Sequence, residues 1–379
     1  MGMQMRIQVT DPETDFRGFV VIDDMVDNRA MGGTRMTADV DIEEVSALAE
    51  AMTSKLALAG LSIGGAKAGI ACGLPPGPQR DRQLTAFGKA VAPLLHSGIY
   101  LGCDQGVSYR DRDLFFEAAA FDLRRDGKVE LPCSWSELWR HCHEVTGFGV
   151  CEATVEAAER IGLDATSGTV SIQGFGTVGR AVASGLAARG FRIVAVADRY
   201  GTIINPDGLP VQELISVTDE SGTIDRSRLP DGQLLDSAAE AWLDVAADVL
   251  VLAANRDAVT RHNVDRVTAA IIVEGGNLTC SDEACEELAR RGVPVLPGIV
   301  ANCGAAAVTG LLLLGAAPHD LGLDELVDWL FREVSARIRD NVRELLARST
   351  GDPRPLTRIA AEIAAQRLAT RRERELVSA

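Results

Sequence analysis

The sequence predicts an α/β protein of two domains followed by a helical segment, with a doubly wound parallel sheet in the second domain. Three observations predict this class. From about residue 146 to 299, short β-branched runs alternate with helical ones, which is the rhythm of a parallel sheet covered on both faces. Hydrophobic residues make up 46% of the 379 residues but aromatics only 4%, so the cores must be built from Ala, Val, Leu and Ile. The 37 glycines suit many tight strand–helix turns.

Residues 1–145 form the expected first domain. Residues 19–23 read as a strand. A helix is expected over 41–60: Asp41 can cap it, Glu43 and Glu44 suit its first turn, and Gly60 ends it. Residues 64–73 are glycine-rich and then strand-like. Residues 146–299 form the second domain. Helices are expected over 145–161 and 179–188, and strands over 169–173, 192–198, 248–253 and 270–274. Residues 201–235 are polar and turn-rich, and predict a small hairpin. Residues 300–379 read as helices that pack back toward the first domain. Leu326, Leu330, Val334 and Ile338 recur at helical spacing. The arginines near the end, Arg367, Arg371, Arg372 and Arg374, read as a solvated helix face.

Composition removes several functions. The formal net charge is −16, which repels phosphate backbones and anionic membranes, so no nucleic acid or membrane partner is expected. The longest apolar stretch, near 308–317, is shorter than the roughly 20 residues of a membrane span. Residues 1–16 carry no apolar run behind a basic start, so no leader is expected. The eight cysteines are scattered among apolar neighbours, as expected of reduced thiols in the cytoplasm. His141, Cys142 and His143, with Cys133 nearby, lack metal-ligand spacing; no metal is expected.

Residues 174–179 carry a candidate dinucleotide site, G-x-G-x-x-G between a strand and a helix. Gly174 allows the tight turn, Gly176 lets the backbone approach a pyrophosphate, and Gly179 lets helix and strand pack closely. Phe175, Thr177 and Val178 complete the turn, and the helix N-terminus offers free N–H groups to an anion. The next strand ends at Asp198, an acid placed to bind the adenine-ribose hydroxyls. This favours NAD. Arg199 leaves NADP open, since a guanidinium can bind a 2′-phosphate.

Two lysines stand in unusual places. Lys55 continues the apolar stripe of Val45, Leu48, Met52 and Ala59. Either its stem lies along the core with its head in water, or an anion meets it. Lys67 lies among Gly64, Gly65, Ala66, Ala68 and Gly69, where a ligand can approach closely. Asp104, in a glycine turn after an apolar run, reads either as a turn residue or as an acid–base group.

Together these residues resemble the glutamate/leucine/phenylalanine/valine dehydrogenase family. Met31, Gly32, Gly33, Thr34, Arg35 and Met36 match its G-G-[TL]-R-[MF] segment. Lys55, then Gly64-Gly65-Ala66-Lys67, then Asp104-Gln105-Gly106-Val107 match its two lysines and aspartate in order. Thr146-Gly147-Phe148-Gly149-Val150 resembles a helix start of the family, Glu274-Gly275-Gly276-Asn277 its E-G-A-N, and Ala301-Asn302-Cys303-Gly304-Ala305 its A-N-A-G-G.

The resemblance implies an NAD(P)-dependent enzyme that converts an L-amino acid and water to a 2-oxo acid and ammonium, reversibly. It implies catalytic roles for Lys67 and Asp104 and a carboxylate-binding role for Lys55. Gly32, Gly33, Met31, Asn277, Ala306 and Thr309 would meet the substrate. Thr146, Ala253, Ala254 and Asn277 would join residues 174–179, Asp198 and Arg199 around the cofactor. A homo-oligomer is implied too. Glutamate-specific relatives carry a lysine immediately before the glycine pair, where this chain has Met31. A neutral, apolar or aromatic substrate is therefore expected, with glutamate as the alternative. A non-catalytic NAD-binding sensor is the alternative of another class.

Overall fold

In a computed structural model, which describes residues 4–127, 129–229, 232–238 and 240–378, the chain divides into two compact units. The first comprises Met1–Arg140, Ala306–Leu330 and Arg367–Ala379; the second comprises His141–Ala305 and Phe331–Gln366.

The first unit begins with β1 (Met5–Asp11), β2 (Phe16–Ile22), β3 (Ala30–Thr37), α1 (Ile42–Leu58), β4 (Gly64–Ala71), α2 (Pro78–His96), β5 (Ile99–Cys103), α3 (Tyr109–Ala118) and α4 (Trp135–His141). The strands form one sheet in the order β1-β2-β4-β3-β5. β3 lies between β4 and β5 and runs parallel to both. β1, β2 and β4 are joined antiparallel. The Asp41 side chain caps α1 by accepting the Glu44 N–H at 2.8 Å. Val45 and Ala49 of that helix pack with Phe19, Val21 and Val40 in one apolar cluster. β1 and β3 lie outside the strands read from sequence.

The second unit carries α5 (Val145–Arg160), β6 (Thr169–Gln173), α6 (Thr177–Ala187), β7 (Arg192–Asp198), β8 (Gly201–Ile204), α7 (Val211–Ser216), β9 (Leu234–Asp236), β10 (Val249–Leu252), β11 (Ile271–Glu274), α8 (Asp282–Arg290), β12 (Val295–Leu296) and α9 (Gly298–Ala301). Its sheet runs β12-β11-β10-β6-β7-β8-β9. The strands from β12 to β7 are parallel. β10 and β11 are buried at every residue, as strands covered on both faces must be. β8 and β9 extend the sheet antiparallel, in the turn-rich stretch where a hairpin was expected.

The C-terminal helices are α10 (Gly304–Leu313), α11 (Leu323–Ser349) and α12 (Leu356–Ser378). Here the structure corrects the expectation that 300–379 as a whole joins the first domain: Phe331–Gln366 clusters with the second unit. Charge and packing explain this. Glu152 and Glu156 on α5 are buried, and α11 answers both. Glu152 accepts from Ser335 and from Arg339 Nε, each at 2.6 Å, and Glu156 from Arg343 Nε at 2.8 Å. Ile338 Cδ1 would lie 2.6 Å from a Cβ on Gly149, so α11 packs closely against α5 at this glycine.

The arginine-rich end departs from its reading as well. Arg371 pairs with Asp24, a buried acid of the first unit, and Arg372 adds a second contact at 3.2 Å. Arg367 donates to the Leu58 carbonyl. Arg371 is only 13% exposed, so it serves a buried carboxylate rather than water, while Arg374 is exposed as expected. No helix among the described residues is long and apolar enough to cross a membrane.

Candidate active site

In the first unit, two glycines of β3 decide what can gather around them. A Cβ on Gly32 would lie 1.6 Å from the Ala66 carbonyl oxygen of β4, and one on Gly33 would lie 2.7 Å from that of Cys103 and 2.9 Å from Asp104 Cβ. Any side chain there would force the strands apart. With glycines in place, Lys67 of β4 and Asp104, just past β5, come together: Nζ lies 2.8 Å from Oδ2. Arg35, two residues beyond Gly33, donates its Nε–H to the same oxygen at 3.3 Å and its Nη1–H to Glu44 of α1 at 2.5 Å. Burial pushes the Asp104 carboxyl up, but Lys67 and Arg35 outweigh it and hold it at about 2. The acid is therefore an ionised carboxylate between two cations at neutral pH.

Lys55 lies in the last turn of α1 and is buried, as are Leu48, Met52 and Ala59 of its stripe. Its helix rests hard on β4: a Cβ on Gly65 would lie 2.4 Å from the Thr53 nitrogen. Met31 is buried at the start of β3, its Sδ 3.5 Å from where a Cβ on Gly310 would stand. Thr309, also buried, and half-buried Ala306 lie on the same helix, α10. The structure thus gathers the substrate-side candidates, apart from Asn277, in the first unit.

In the second unit the glycine turn has the form its sequence predicts. Gly174 adopts φ +96°, a left-handed conformation that suits glycine. A Cβ on Gly179 would lie 1.9 Å from the Gly174 oxygen, whereas one on Gly176 would meet nothing within 4 Å. Gly176 caps α6 with no side-chain hydrogen bond, and Thr177 and Val178 open the helix. Its first N–H groups are therefore left for an anion, with open space beside Gly176 for a pyrophosphate to enter. Phe175 is buried, so it offers its backbone rather than its ring.

Ala253 and Ala254 follow β10 and abut Gly174: its Cβ would lie 2.8 Å from the Ala253 oxygen and 2.7 Å from Ala254 Cβ. This is the carboxyl edge where the strand order reverses, the usual ligand crevice of such sheets. Asn277 lies on the loop after β11. Asn302 binds that loop through Nδ2, to the Gly276 oxygen at 2.8 Å and to Asn277 Oδ1 at 3.3 Å. Glu274 is buried below, accepting from Thr279 Oγ1 at 3.0 Å, Cys280 N at 2.9 Å and Gly298 N at 3.0 Å. Burial pushes its carboxyl up. Thr146, in the first turn of α5, faces the start of α10, its Cα 3.4 Å from where a Cβ on Gly304 would stand.

Asp198 is where the structure parts from the expectation. Oδ1 accepts from Tyr200 N at 2.8 Å and Arg226 Nη2 at 2.5 Å; Oδ2 accepts from Ile224 N at 2.9 Å and from Arg226 Nη1. A carboxylate offers about four lone-pair sites, and these donors fill them. Burial raises its pKa, but Arg226 and the backbone N–H groups lower it below the usual range overall. No acceptor is left over for ribose hydroxyls in this arrangement.

A family model described as "Glutamate/Leucine/Phenylalanine/Valine dehydrogenase" matches residues 140–375, and its partner, "Glu/Leu/Phe/Val dehydrogenase, dimerisation domain", matches residues 2–115. The chain belongs to the glutamate/leucine/phenylalanine/valine dehydrogenase family. It is an NAD(P)-dependent amino-acid dehydrogenase. Its relatives include a glutamate dehydrogenase of Thermotoga maritima, 32% identical over 309 residues, covering 78% of this chain and 71% of that one. An NADP(+)-dependent glutamate dehydrogenase of Pyrobaculum calidifontis is 31% identical over 338 residues, covering 84% and 76%. Among solved structures, the hetero-hexameric glutamate dehydrogenase of Thermus thermophilus in its Leu-bound form matches with a TM-score of 0.78 at 26% identity. That match covers 97% of this chain and 88% of that one.

Three features of this family member escaped the sequence. Arg35 stood inside a recognised segment, but its link to Asp104 joins positions 69 apart. Glu274 likewise stood in a motif without a role. Arg226 lies 28 residues from Asp198 in a polar stretch and carried no local signal at all.

Proposed function

We propose that the chain catalyses reversible oxidative deamination of an L-amino acid: amino acid, water and NAD(P)+ give a 2-oxo acid, ammonium, NAD(P)H and a proton. The observation that carries this reading is the Lys67–Asp104 ion pair beside Gly32 and Gly33. Lys55 holds the substrate α-carboxylate, which accounts for a cation on a buried helix face. Asp104 exchanges a proton with the substrate amine. Lys67 orients and activates the water that adds to the imine carbon and stabilises the charge that develops there. Residues 174–179 would hold NAD(P), which would supply the acceptor for the hydride of the substrate Cα. Thr146, Ala253, Ala254 and Asn277 complete its surroundings. The chain works as an oligomer of itself in the cytoplasm; the match to a dimerisation-domain family supports the first part.

Glutamate is the substrate that the relatives favour, since those at 31–32% identity are named glutamate dehydrogenases. A second reading, a neutral apolar or aromatic amino acid, is favoured by Met31. It is buried where glutamate-specific relatives carry a lysine, and an unpaired carboxylate there would cost several kcal/mol. Turnover of each L-amino acid with NAD+ and with NADP+, followed by nicotinamide absorbance, tests both. Glutamate alone supports the first reading, and leucine, valine or phenylalanine the second. Silence across the panel would remove deamination itself.

A further inference from the structure

The filled carboxylate of Asp198 changes what the adenine end of the glycine turn can recognise. An acid at this place selects NAD in two ways: it accepts the ribose hydroxyls and it repels a 2′-phosphate. Here the first is blocked, because Tyr200 N, Ile224 N and the two Arg226 nitrogens take the lone pairs. The second is cancelled, because the Arg226 guanidinium neutralises the charge and only 3% of the Asp198 side chain is exposed.

What remains at the surface is a cation, Arg199, with the exposed Asp219 of the neighbouring loop beside it. Arg199 is exposed and donates Nη2–H to the Ser221 hydroxyl at 2.6 Å. It also lies over the ring of Tyr200, 5.7 Å from its centroid, while Arg226 lies 5.9 Å from the same ring. Tyr200 is 62% exposed, a flat apolar face between two guanidinium groups. The loop that carries Ser221 reaches the glycine turn itself: a Cβ on Gly222 would lie 2.8 Å from Gly176 Cα. Arg180 of α6 fixes the loop by donating to the Asp219 carbonyl at 2.6 Å. The nearby Asp219 carboxylate accepts the Ser221 hydroxyl at 2.7 Å and the Thr223 N–H at 2.9 Å, so it is already turned into its own loop.

We propose that this subsite is built for a phosphate on the adenosine ribose, with Arg199 as its ligand and Ser221, whose proton goes to Asp219, holding Arg199 in place, so that the chain prefers NADP to NAD. A guanidinium binds a phosphate with two parallel hydrogen bonds, and Ser221 already stands within reach of Arg199. The inference rests on the dinucleotide-dependent reading above and deepens it.

Isothermal titration of the full chain with NADP+, NAD+ and the fragment 2′,5′-ADP tests it without turnover. The wild type is expected to bind NADP+ at least about tenfold tighter than NAD+, and to bind 2′,5′-ADP but not 5′-AMP measurably. Arg199→Ala is expected to remove the preference while NAD+ affinity stays within about twofold. Arg226→Met, which frees Asp198, is expected to shift the preference toward NAD+. Arg199 is exposed, so its variant tests the inference even where Arg226→Met fails to fold. Equal or tighter binding of NAD+ by the wild type would overturn the inference, and so would an equal loss for both cofactors in Arg199→Ala. Tight NADP+ binding without amino-acid turnover would leave it standing and sink deamination; turnover with NAD+ alone would do the reverse.

Discussion

Lys67 Nζ stands 2.8 Å from Asp104 Oδ2, and the same oxygen also takes the Arg35 Nε–H at 3.3 Å. One carboxylate oxygen therefore serves both a lysine and an arginine. When Lys67 turns to a substrate or a water, Arg35 still holds the acid in place and ionised. Lys67→Ala should leave the fold and cofactor affinity intact while kcat/KM falls by about 10²–10⁴. Titration calorimetry with the dinucleotide and a turnover assay on one sample check both halves. Unchanged turnover would remove Lys67 from catalysis.

Asp104 also predicts how the first unit responds to acid. Its folded pKa of about 2 lies below the ~3.9 of an unfolded aspartate. The stabilisation is thus complete above pH ~4 and fades as the pH falls toward 2, by roughly 2–3 kcal/mol in all. Trp135, Trp139 and Trp329 all lie in this unit, so tryptophan fluorescence reports mainly on it. Urea unfolding between pH 5 and pH 2.5 should lose less stability in Asp104→Asn than in the wild type. Parallel pH slopes would refute the assignment.

The glycine turn separates a binding glycine from a packing one. A Cβ on Gly176 meets open space, and one on Gly179 meets the Gly174 oxygen at 1.9 Å. Gly176→Ala should keep the wild-type melting temperature and weaken dinucleotide binding by about tenfold or more, since only a ligand feels the methyl. Gly179→Ala should lower the melting temperature by several degrees, as a loss of roughly 1–3 kcal/mol implies. Thermal melts with and without NADP+ distinguish the two.

Met31→Lys asks which side chain the substrate carries. If an uncharged pocket excludes glutamate, the added cation should raise kcat/KM for glutamate relative to leucine by about tenfold or more. Burying it should also lower stability by a few kcal/mol. A variant with unchanged selectivity would place the side-chain pocket away from Met31.

Local signals were legible and distant partners were not. The glycine turn, Lys55 on its apolar stripe and the strands at 169–173 and 192–198 each rest on neighbours in sequence, where periodicity and turn chemistry act. Asp198 was readable as an acid at the end of a strand; that Arg226 fills it depends on a loop folding back over 28 residues. Arg371 read as solvated because its partner, Asp24, lies 347 residues away. The helical period of α11 was plain, but nothing in it told that Arg339 and Arg343 answer two buried acids on α5. Edge strand β1 alternates Met5, Ile7 and Val9 with Arg6, Gln8 and Thr10, but its residues are largely exposed, so the local pattern carried no sign of a core face.

The first unit is assembled from three pieces of chain, the last of them Arg367–Ala379. During synthesis the second unit has all its residues, through Gln366, before the first receives its closing arginines. Asp24 is made 347 residues before Arg371, its charge without that counterion while the intervening chain grows. A truncation just after Gln366 would thus strike the unit whose first strand was made earliest of the two, and would spare every residue of the nucleotide-binding unit.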